Sequence, residues 1–226
     1  GTIHSIIGPN GAGKTTLFNL ITGVYTPSTG GILFNDVSTT GKAPYELAEM
    51  GMSRTFQNLQ IFFNMSAIEN VMVGRHLHLA RSYLPSLLRL PGIAKRDAEA
   101  REKSFELMRF VGLEAYLKSE AQSMPYGALK RLEIARALAA EPKLLLLDEP
   151  AAGLNATESR EIDEVIVKVA ESGVTVVLVE HDMKMVMGIS DHILVLDYGK
   201  KLAEGTPDQV RNNPDVVAAY LGGGAA

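Results

Sequence analysis

The sequence predicts an α/β fold: a mostly parallel sheet with helices between its strands and a helical segment inserted part-way along the chain. Three observations predict it. A short apolar strand (Ile3, Ile6, Ile7) runs into a glycine-rich turn and then a helix, Leu17 to Ile21. Leu144-Leu145-Leu146-Leu147 is an unbroken apolar run closed by Asp148-Glu149-Pro150, the pattern of a short strand buried on both faces. Strand and helix patterns alternate along the core, with further apolar strands at Val174 to Val179 and Ile193 to Leu196. Sheets of this kind bind ligands beyond the carboxyl ends of their strands. The glycine-rich turn, Asp148-Glu149 and His181 each follow such an end, so three separated segments are expected on one rim.

Taken in order, the turn after the first strand is the most informative stretch. It contains G-x-x-x-x-G-K-[ST] as Gly8, Gly13, Lys14 and Thr15, with a strand before and a helix after, the context of a phosphate loop. Glycines let successive N–H groups face inward at a helix N-terminus, where negative charge is favoured. Gly8, Pro9, Asn10, Gly11, Ala12, Gly13, Lys14, Thr15 and Thr16 are therefore the candidate nucleotide-binding residues. Lys14 supplies charge for the β- and γ-phosphates, and the Thr15 hydroxyl can ligate Mg²⁺. From this loop alone the nucleotide is ATP or GTP. The core is accordingly a P-loop NTPase core.

Gly23 to Gly31 is a turn cluster, Ile32 to Phe34 a strand, and Asn35 to Gly41 a polar loop. Pro44 to Met50 reads as a helix with proline in its first turn, and Gly51 to Phe56 as a strand ending at Gln57. From Met65 to Leu117 the texture is helical, opened by Ser66 and Glu69 as a capping box and interrupted by Pro85, Pro91 and Gly92. Asp97 to Phe110 is a charged amphipathic helix with Phe105, Leu107, Met108 and Val111 expected inside. His76 and His78 have no nearby partner and receive no role. Ala128 to Ala140 is a helix. Asn155 and Glu158 form another capping box, ahead of a helix with Ile162, Val165, Ile166 and Val169 on one face, which Gly173 stops. Tyr198-Gly199 reads as a hairpin turn into Lys201 to Ala203, and Pro214 to Leu221 as a last helix before a Gly-Gly-Gly-Ala-Ala tail. The expected organisation is a single domain over 1–226: a core of about 1–64 and 141–221, a helical subdomain of about 65–140, and a flexible tail of 222–226.

Composition narrows the function. With 226 residues, 46% hydrophobic, the chain can bury a real core. A net charge of -4 and the lack of a basic face speak against nucleic acid as a partner. There is no cysteine for disulfides or thiolate metal sites, and no apolar run of membrane-spanning length, so a membrane role would come through a partner.

Asp148 closes the leucine strand, where an acid in phosphate-loop enzymes helps hold Mg²⁺; Glu149, one residue on, is placed to act as general base toward water. Carboxylates there could also be a helix cap and a surface group. Taken together, the phosphate loop, Gln57 after Thr55-Phe56, the helix Leu132-Glu133-Ile134-Ala135-Arg136-Ala137-Leu138, the run Leu144 to Pro150 and His181 after Glu180 resemble the ATP-binding subunits of ABC transporters, over essentially the whole chain. The resemblance selects ATP and implies roles: Gln57 as the glutamine that touches Mg²⁺ or the lytic water and moves with the transport subunit, and His181 as the histidine that contacts the γ-phosphate. Catalytic candidates are thus Glu149, His181, Gln57 and Lys14, and metal candidates Thr15, Gln57 and Asp148.

The family's Leu-Ser-Gly-Gly-Gln stretch is replaced here by Met124-Pro125-Tyr126-Gly127-Ala128, which keeps one glycine and loses the serine hydroxyl. The resemblance implies that Pro125, Tyr126, Gly127 and Ala128 close over ATP held by a second ATPase subunit, same or different, in a head-to-tail pair. Ala152-Gly153-Leu154-Asn155 stands where Ser-x-Leu-Asp is common, and Asn155 reads as a cap. The Pro-Tyr-Gly loop, Ala-Ala-Gly after Glu149-Pro150, and Glu180-His181-Asp182-Met183-Lys184 look like the ATPase subunit of a branched-chain amino-acid importer, which implies permease partners and a place on the cytoplasmic face of the membrane. The apolar cluster Ile61 to Met65 is either core or the wall of a permease groove. The family's upstream strand pair, with its adenine-stacking aromatic residue, is not in a chain that starts one strand before the loop, so weaker ATP binding than in an intact subunit is expected. The alternatives are a non-transport ABC ATPase and a regulatory module that binds ATP with little turnover.

Overall fold

A computed structural model of the chain describes residues 1–78 and 91–222. In chain order the strands are β1 (Ile3–Ile7), β2 (Leu33–Phe34), β3 (Val37–Ser38), β4 (Met52–Arg54), β5 (Leu144–Asp148), β6 (Thr175–Val179), β7 (His192–Asp197) and β8 (Lys200–Gly205). Six of them form one sheet in the order β4-β5-β6-β1-β7-β8, parallel throughout except where β8 folds back on β7. The register matters most at the carboxyl ends: Asp148 and Ile6 both stand opposite Val179, so β5, β6 and β1 end level with one another. The phosphate loop, Glu149 and His181 leave the sheet within a residue or two of that line.

The helices are α1 (Lys14–Ile21), α2 (Pro44–Met50), α3 (Ala67–Gly74), α4 (Pro91–Phe110), α5 (Tyr126–Leu138), α6 (Ala156–Glu171), α7 (Met183–Ile189), α8 (Pro207–Arg211) and α9 (Pro214–Gly222). The leucine strand shows how the layers are joined. Leu145 and Leu147 point into a cluster with Leu132 and Ile134 of α5 and Ile162 and Ile166 of α6, while Leu146 points to the other face, against Ile6, Val179 and Phe18 of α1. This is the period-2 alternation of a strand covered on both sides. The first cluster runs on without a break into α3 and α4 through Val71 and Met108. A third cluster, of Ile7, Ile193 and Val195, lies under α7, α8 and α9.

Most elements fall where the sequence places them. Both capping boxes form: Ser66 with Glu69, and Asn155 with Glu158, each with its reciprocal bonds. Ile162, Val165, Ile166 and Val169 are all buried, and Gly173 follows the end of α6 with φ 98°. Three readings change. Asn35 to Gly41 is not all loop: Asn35 and Asp36, at φ 49° and 62°, make a two-residue turn that pairs Val37–Ser38 with Leu33–Phe34. The helix expected from Asp97 begins at Pro91, with proline at its start rather than as a break, and Met108 and Val111 are buried while Phe105 and Leu107 are half-buried. The helix expected from Ala128 begins at Tyr126, and two helices lie where the sequence reading places none: α7, capped by Asp182, and α8, capped by Thr206 and Gln209. The break at Pro85 and the tail beyond Gly222 lie outside the described residues.

A buried amide ties α3 to the loop that leaves β4. Asn70 has no exposed surface; its Oδ1 accepts from the Phe62 N–H at 2.9 Å, and its Nδ2 donates to the Phe62 and Ser66 carbonyls, both at 3.0 Å. Asn70→Ala leaves the Phe62 N–H without an acceptor, while the Phe62 and Ser66 carbonyls keep the Met65 and residue-70 backbone N–H groups, and is expected to lower unfolding free energy by about 1–3 kcal/mol; a urea midpoint equal to that of the unaltered chain would remove Asn70 as the tie.

Candidate active site

The phosphate loop folds as its glycines require. Gly11 and Gly13 have φ 80° and 95°, and a Cβ on Gly8, at φ 153°, would lie 2.2 Å from the Leu196 carbonyl oxygen. Gly13 is the N-cap of α1 and brings no side-chain acceptor, so the first-turn amides of the helix face the cleft. The cleft has a volume of about 270 Å³ and is walled by Asn10, Gly11, Ala12, Gly13, Lys14, Thr15 and Thr16 on one side and by Glu149 and His181 on the other. Gly8 and Pro9 are not among the residues that wall it; they meet it through Lys14, whose ammonium donates to their carbonyls at 2.7 and 3.1 Å. Burial lowers the proton affinity of Lys14, and the nearby Glu149 charge raises it in part.

Glu149 is where the separated segments meet. Its N–H donates to the Val179 carbonyl at 2.9 Å, and its backbone then turns to φ 49°. The carboxylate is held at both oxygens. Gln57 Nε2 donates to Oε2 at 3.0 Å, and His181 Nε2 lies 3.0 Å from Oε1. Three residues chosen from three distant positions in the sequence thus form one hydrogen-bonded chain at the mouth of the cleft. Asp148 is set further back. It is nearly buried, and its Oδ2 accepts from Arg54 Nη2 at 2.9 Å. The Thr15 hydroxyl, the Gln57 amide oxygen and the Asp148 carboxylate are oxygen donors of the kind Mg²⁺ takes. Among the described residues no three His, Asp or Glu side chains gather into a metal cage; Mg²⁺ at a nucleotide is held by phosphate, water and one or two protein oxygens.

Pro125, Tyr126, Gly127 and Ala128 do not line this cleft. Pro125 is the N-cap of α5, so the amides that follow it sit at a helix start of their own. Gly127 is packed so tightly that a Cβ would meet the Glu158 carboxylate at 2.6 Å. The Lys130 ammonium lies 5.8 Å from the centre of the exposed Tyr126 ring. Asn155 caps α6 with bonds to the amides of Thr157 and Glu158, as expected.

The chain's first 152 residues match the family model described as ABC transporter, and residues 200–226 match one described as branched-chain amino acid ATP-binding cassette transporter. Over 221 residues the chain is 46% identical to the high-affinity branched-chain amino acid transport ATP-binding protein LivG of Escherichia coli K12, covering 97% of this chain and 87% of that one. The chain belongs to the ATP-binding proteins of ABC transporters. Among solved structures of this family, the ADP conformation of MJ1267 superposes with a TM-score of 0.83 at 34% identity, over 98% of this chain and 88% of that one. The dimeric structure of the cassette MJ0796 superposes with a TM-score of 0.75 at 26% identity, over 91% and 85%. As a family member the chain is an ATPase of the transport type.

Two charged residues beside this ATPase site were missed by sequence reasoning, Arg54 and Glu180. Glu180 is buried, and its two oxygens accept from the N–H groups of Ala151 at 2.9 Å and His181 at 3.0 Å. It ties the loop after Glu149 to the residue that faces Glu149. Its only sequence signal is an acid at the end of an apolar strand, which does not say where the side chain turns. Glu180→Ala leaves both amides without acceptors and frees the two loops. ATP turnover is expected to fall about 10–100-fold, the effect of misplacing reacting groups by an ångström or less, with ATP affinity changed by less than about twofold. Equal turnover in steady-state assays would show that Glu180 does not set this geometry.

Proposed function

We propose that this chain is the ATP-hydrolysing subunit of an importer for branched-chain or related amino acids, and that it works as one half of a pair of ATPase subunits that closes on ATP. The observation that carries the hydrolytic reading is the Glu149 carboxylate, held by Gln57 and His181 at the mouth of the phosphate cleft. The solute reading is supported by the names of the relatives and of the model matched by residues 200–226.

In this reading the amides from Asn10 to Thr16 and the Lys14 ammonium bind the phosphates, and Lys14 exchanges the Gly8 and Pro9 carbonyls for phosphate oxygens. Thr15 and Asp148, with Gln57 at the edge, would hold Mg²⁺, whose chemistry is to neutralise charge on the β- and γ-phosphates. Glu149 accepts a proton from water as the water oxygen bonds to the γ-phosphorus and the bond to the β-phosphate oxygen breaks. His181 orients Glu149 and reaches toward the γ-phosphate. Positioning and charge supply most of the acceleration, because phosphoryl transfer asks little covalent chemistry of the protein.

The α5 N-terminal loop, from Pro125 to Ala128, is offered to ATP on a partner subunit. Its absence from the walls of its own chain's cleft and the dimeric state of the MJ0796 structure support that assignment. Phosphate contacts made only in the closed pair shift the population toward closure, and hydrolysis removes them. Residues 65–140 act as a subdomain that carries this loop. A groove of about 440 Å³ beside it, lined by Phe56, Leu59, Ile61, Phe62, Glu133 and Arg136, is where a permease would dock, holding the subunit at the cytoplasmic face. Phe62 and Phe63 are each nearly half exposed, while Ile61 is buried, so the cluster after Gln57 serves both core and groove.

Glu149→Gln is expected to keep ATP affinity within about twofold and lower turnover by about 10²–10⁴-fold, the range for losing a general base. An ATP-dependent dimer on size exclusion would accompany it. Normal turnover in the variant would end the assignment of Glu149. Lys14→Ala is expected to weaken nucleotide binding about 10–100-fold by calorimetry, the worth of a charge-assisted bond; unaltered binding would end the assignment of Lys14. Reconstitution with its permeases in vesicles, and uptake of labelled leucine on addition of ATP, tests the solute class.

A further inference from the structure

Arg54 ends β4 and reaches across the end of the sheet to touch β5, α1 and the residue that ends α1. Its Nη2 donates to Asp148 Oδ2 at 2.9 Å, at the end of β5. Its Nη1 donates to Asn19 Oδ1 at 2.7 Å, on α1, and to Thr22 Oγ1 at 3.0 Å, just past the end of that helix. Its guanidinium carbon lies 5.4 Å from the centre of the Phe18 ring and 5.2 Å from that of Phe56, which gives the cation two aromatic faces. The arginine side chain is 12% exposed and that of Asp148 7%, so this is an ion pair largely withdrawn from water.

Such a pair adds little net stability, but removing one partner is costly because the other charge is left buried alone. What this pair contributes is direction. A guanidinium often grips a carboxylate with two parallel bonds and uses both oxygens. Here a single Nη meets a single oxygen, and the other Nη is spent on Asn19 and Thr22. The carboxylate is tethered through Oδ2, and its second oxygen is not taken by the arginine. The anchor residues are on α1, the helix whose first turn carries Thr15, so the two oxygen donors proposed for Mg²⁺ are held relative to each other through Arg54.

We infer that Arg54 is a positioning residue for metal–nucleotide binding: by holding Asp148 through one oxygen against α1, it presents the other oxygen to the Mg²⁺ that accompanies ATP. The inference rests on the metal role proposed for Asp148. Lysine can keep the charge beside Asp148 but not the whole hold, since a single ammonium on a flexible stem lacks the planar fork that spans Asn19, Thr22 and Asp148.

The test is binding, read without turnover. A slowly hydrolysed ATP analogue is titrated by calorimetry into the full chain, first with a chelator and then at increasing Mg²⁺. Arg54→Gln is expected to raise the Mg²⁺ concentration for half-maximal enhancement about tenfold or more, with metal-free analogue binding within about twofold, the split expected if only the charge-assisted hold on the metal ligand is lost. Arg54→Lys is expected to recover part of the loss, and it replaces Arg54→Gln as the deciding variant if the latter does not fold. On an Asp148→Asn background, exchanging Arg54 is expected to produce no further change in Mg²⁺ dependence. Mg²⁺ dependence unchanged or tightened in the Arg54 variants would overturn the inference, as would an equal loss of metal-free binding, which marks a purely structural role. Failure of the unaltered chain to respond to Mg²⁺ would instead remove the metal assignment itself.

Discussion

The Glu149 carboxylate is gripped at both oxygens, by the Gln57 amide on one and the His181 ring on the other, and the arrangement of the cleft depends on that grip. Gln57 follows β4, Glu149 follows β5 and His181 follows β6, three adjacent parallel strands. A parallel sheet puts their ends on one side, and the register that sets Asp148 level with Val179 and Ile6 brings them into reach of one another. A one-residue slip of β5 would exchange the faces of its leucines as well as moving Glu149, so the same burial that stabilises the strand fixes the position of the acid. Glu149 completes the arrangement with a backbone at φ 49°, a conformation that costs on the order of 1–3 kcal/mol for a non-glycine residue and that the surrounding strands hold in place.

The sheet was legible because its strands carry the strongest kind of pattern. Four leucines in a row, too few for a helix and closed by Asp148-Glu149-Pro150, suit a strand covered on both sides, with the odd pair on one face and Leu146 on the other. Capping boxes were legible for a similar reason: Ser66 with Glu69 and Asn155 with Glu158 are local, three residues apart, and their bonds need no knowledge of the rest of the fold. The short hairpin of β2 and β3 was not. Asn35-Asp36 is a good left-handed turn, but two-residue strands that are mostly exposed leave too little apolar alternation to read. The start of α4 lies at Pro91, six residues before the expected Asp97, because proline, a breaker inside a helix, is at home in a first helical turn.

The phosphate loop, Glu149 and His181 could be marked from the sequence because each follows a strand end and strand ends gather. Arg54 and Glu180 follow the same rule and were passed over, because periodicity reports that a position is near the core and nothing about where a long charged side chain turns. In the structure one neutralises Asp148 and the other accepts from two backbone amides that would otherwise go unpaired beside the cleft. Buried charges of this kind are tolerated only with partners. Arg54 finds its partners in Asn19, Thr22 and Asp148, and Glu180 in Ala151 and its own neighbour His181.

Gln57 is held from two directions, and the consequence is mechanical. From the sheet side its amide is bonded to Glu149. From the helical side, the Lys130 ammonium donates to its carbonyl at 3.4 Å, and Glu133, one turn further along α5, accepts from the Gln60 N–H at 3.4 Å. Both contacts from α5 are long, and burial raises the proton affinity of Glu133, so the charge that would strengthen its bond is itself disfavoured there. The bonds on the sheet side, at 3.0 Å, are the shorter ones. Gln57 is thus held more closely on the sheet side than on the α5 side. The 440 Å³ groove is lined by Phe56, Gln60 and Glu133, residues on both sides of that weak joint, so anything seated in it bears on both halves at once. Coupling between a docked partner and the cleft needs two arrangements of nearly equal energy and a contact that differs between them. The uneven hold on Gln57 is the kind of contact such coupling would use, since the Gln57–Gln60 segment touches α5 and the groove and bonds to the acid proposed to prime water.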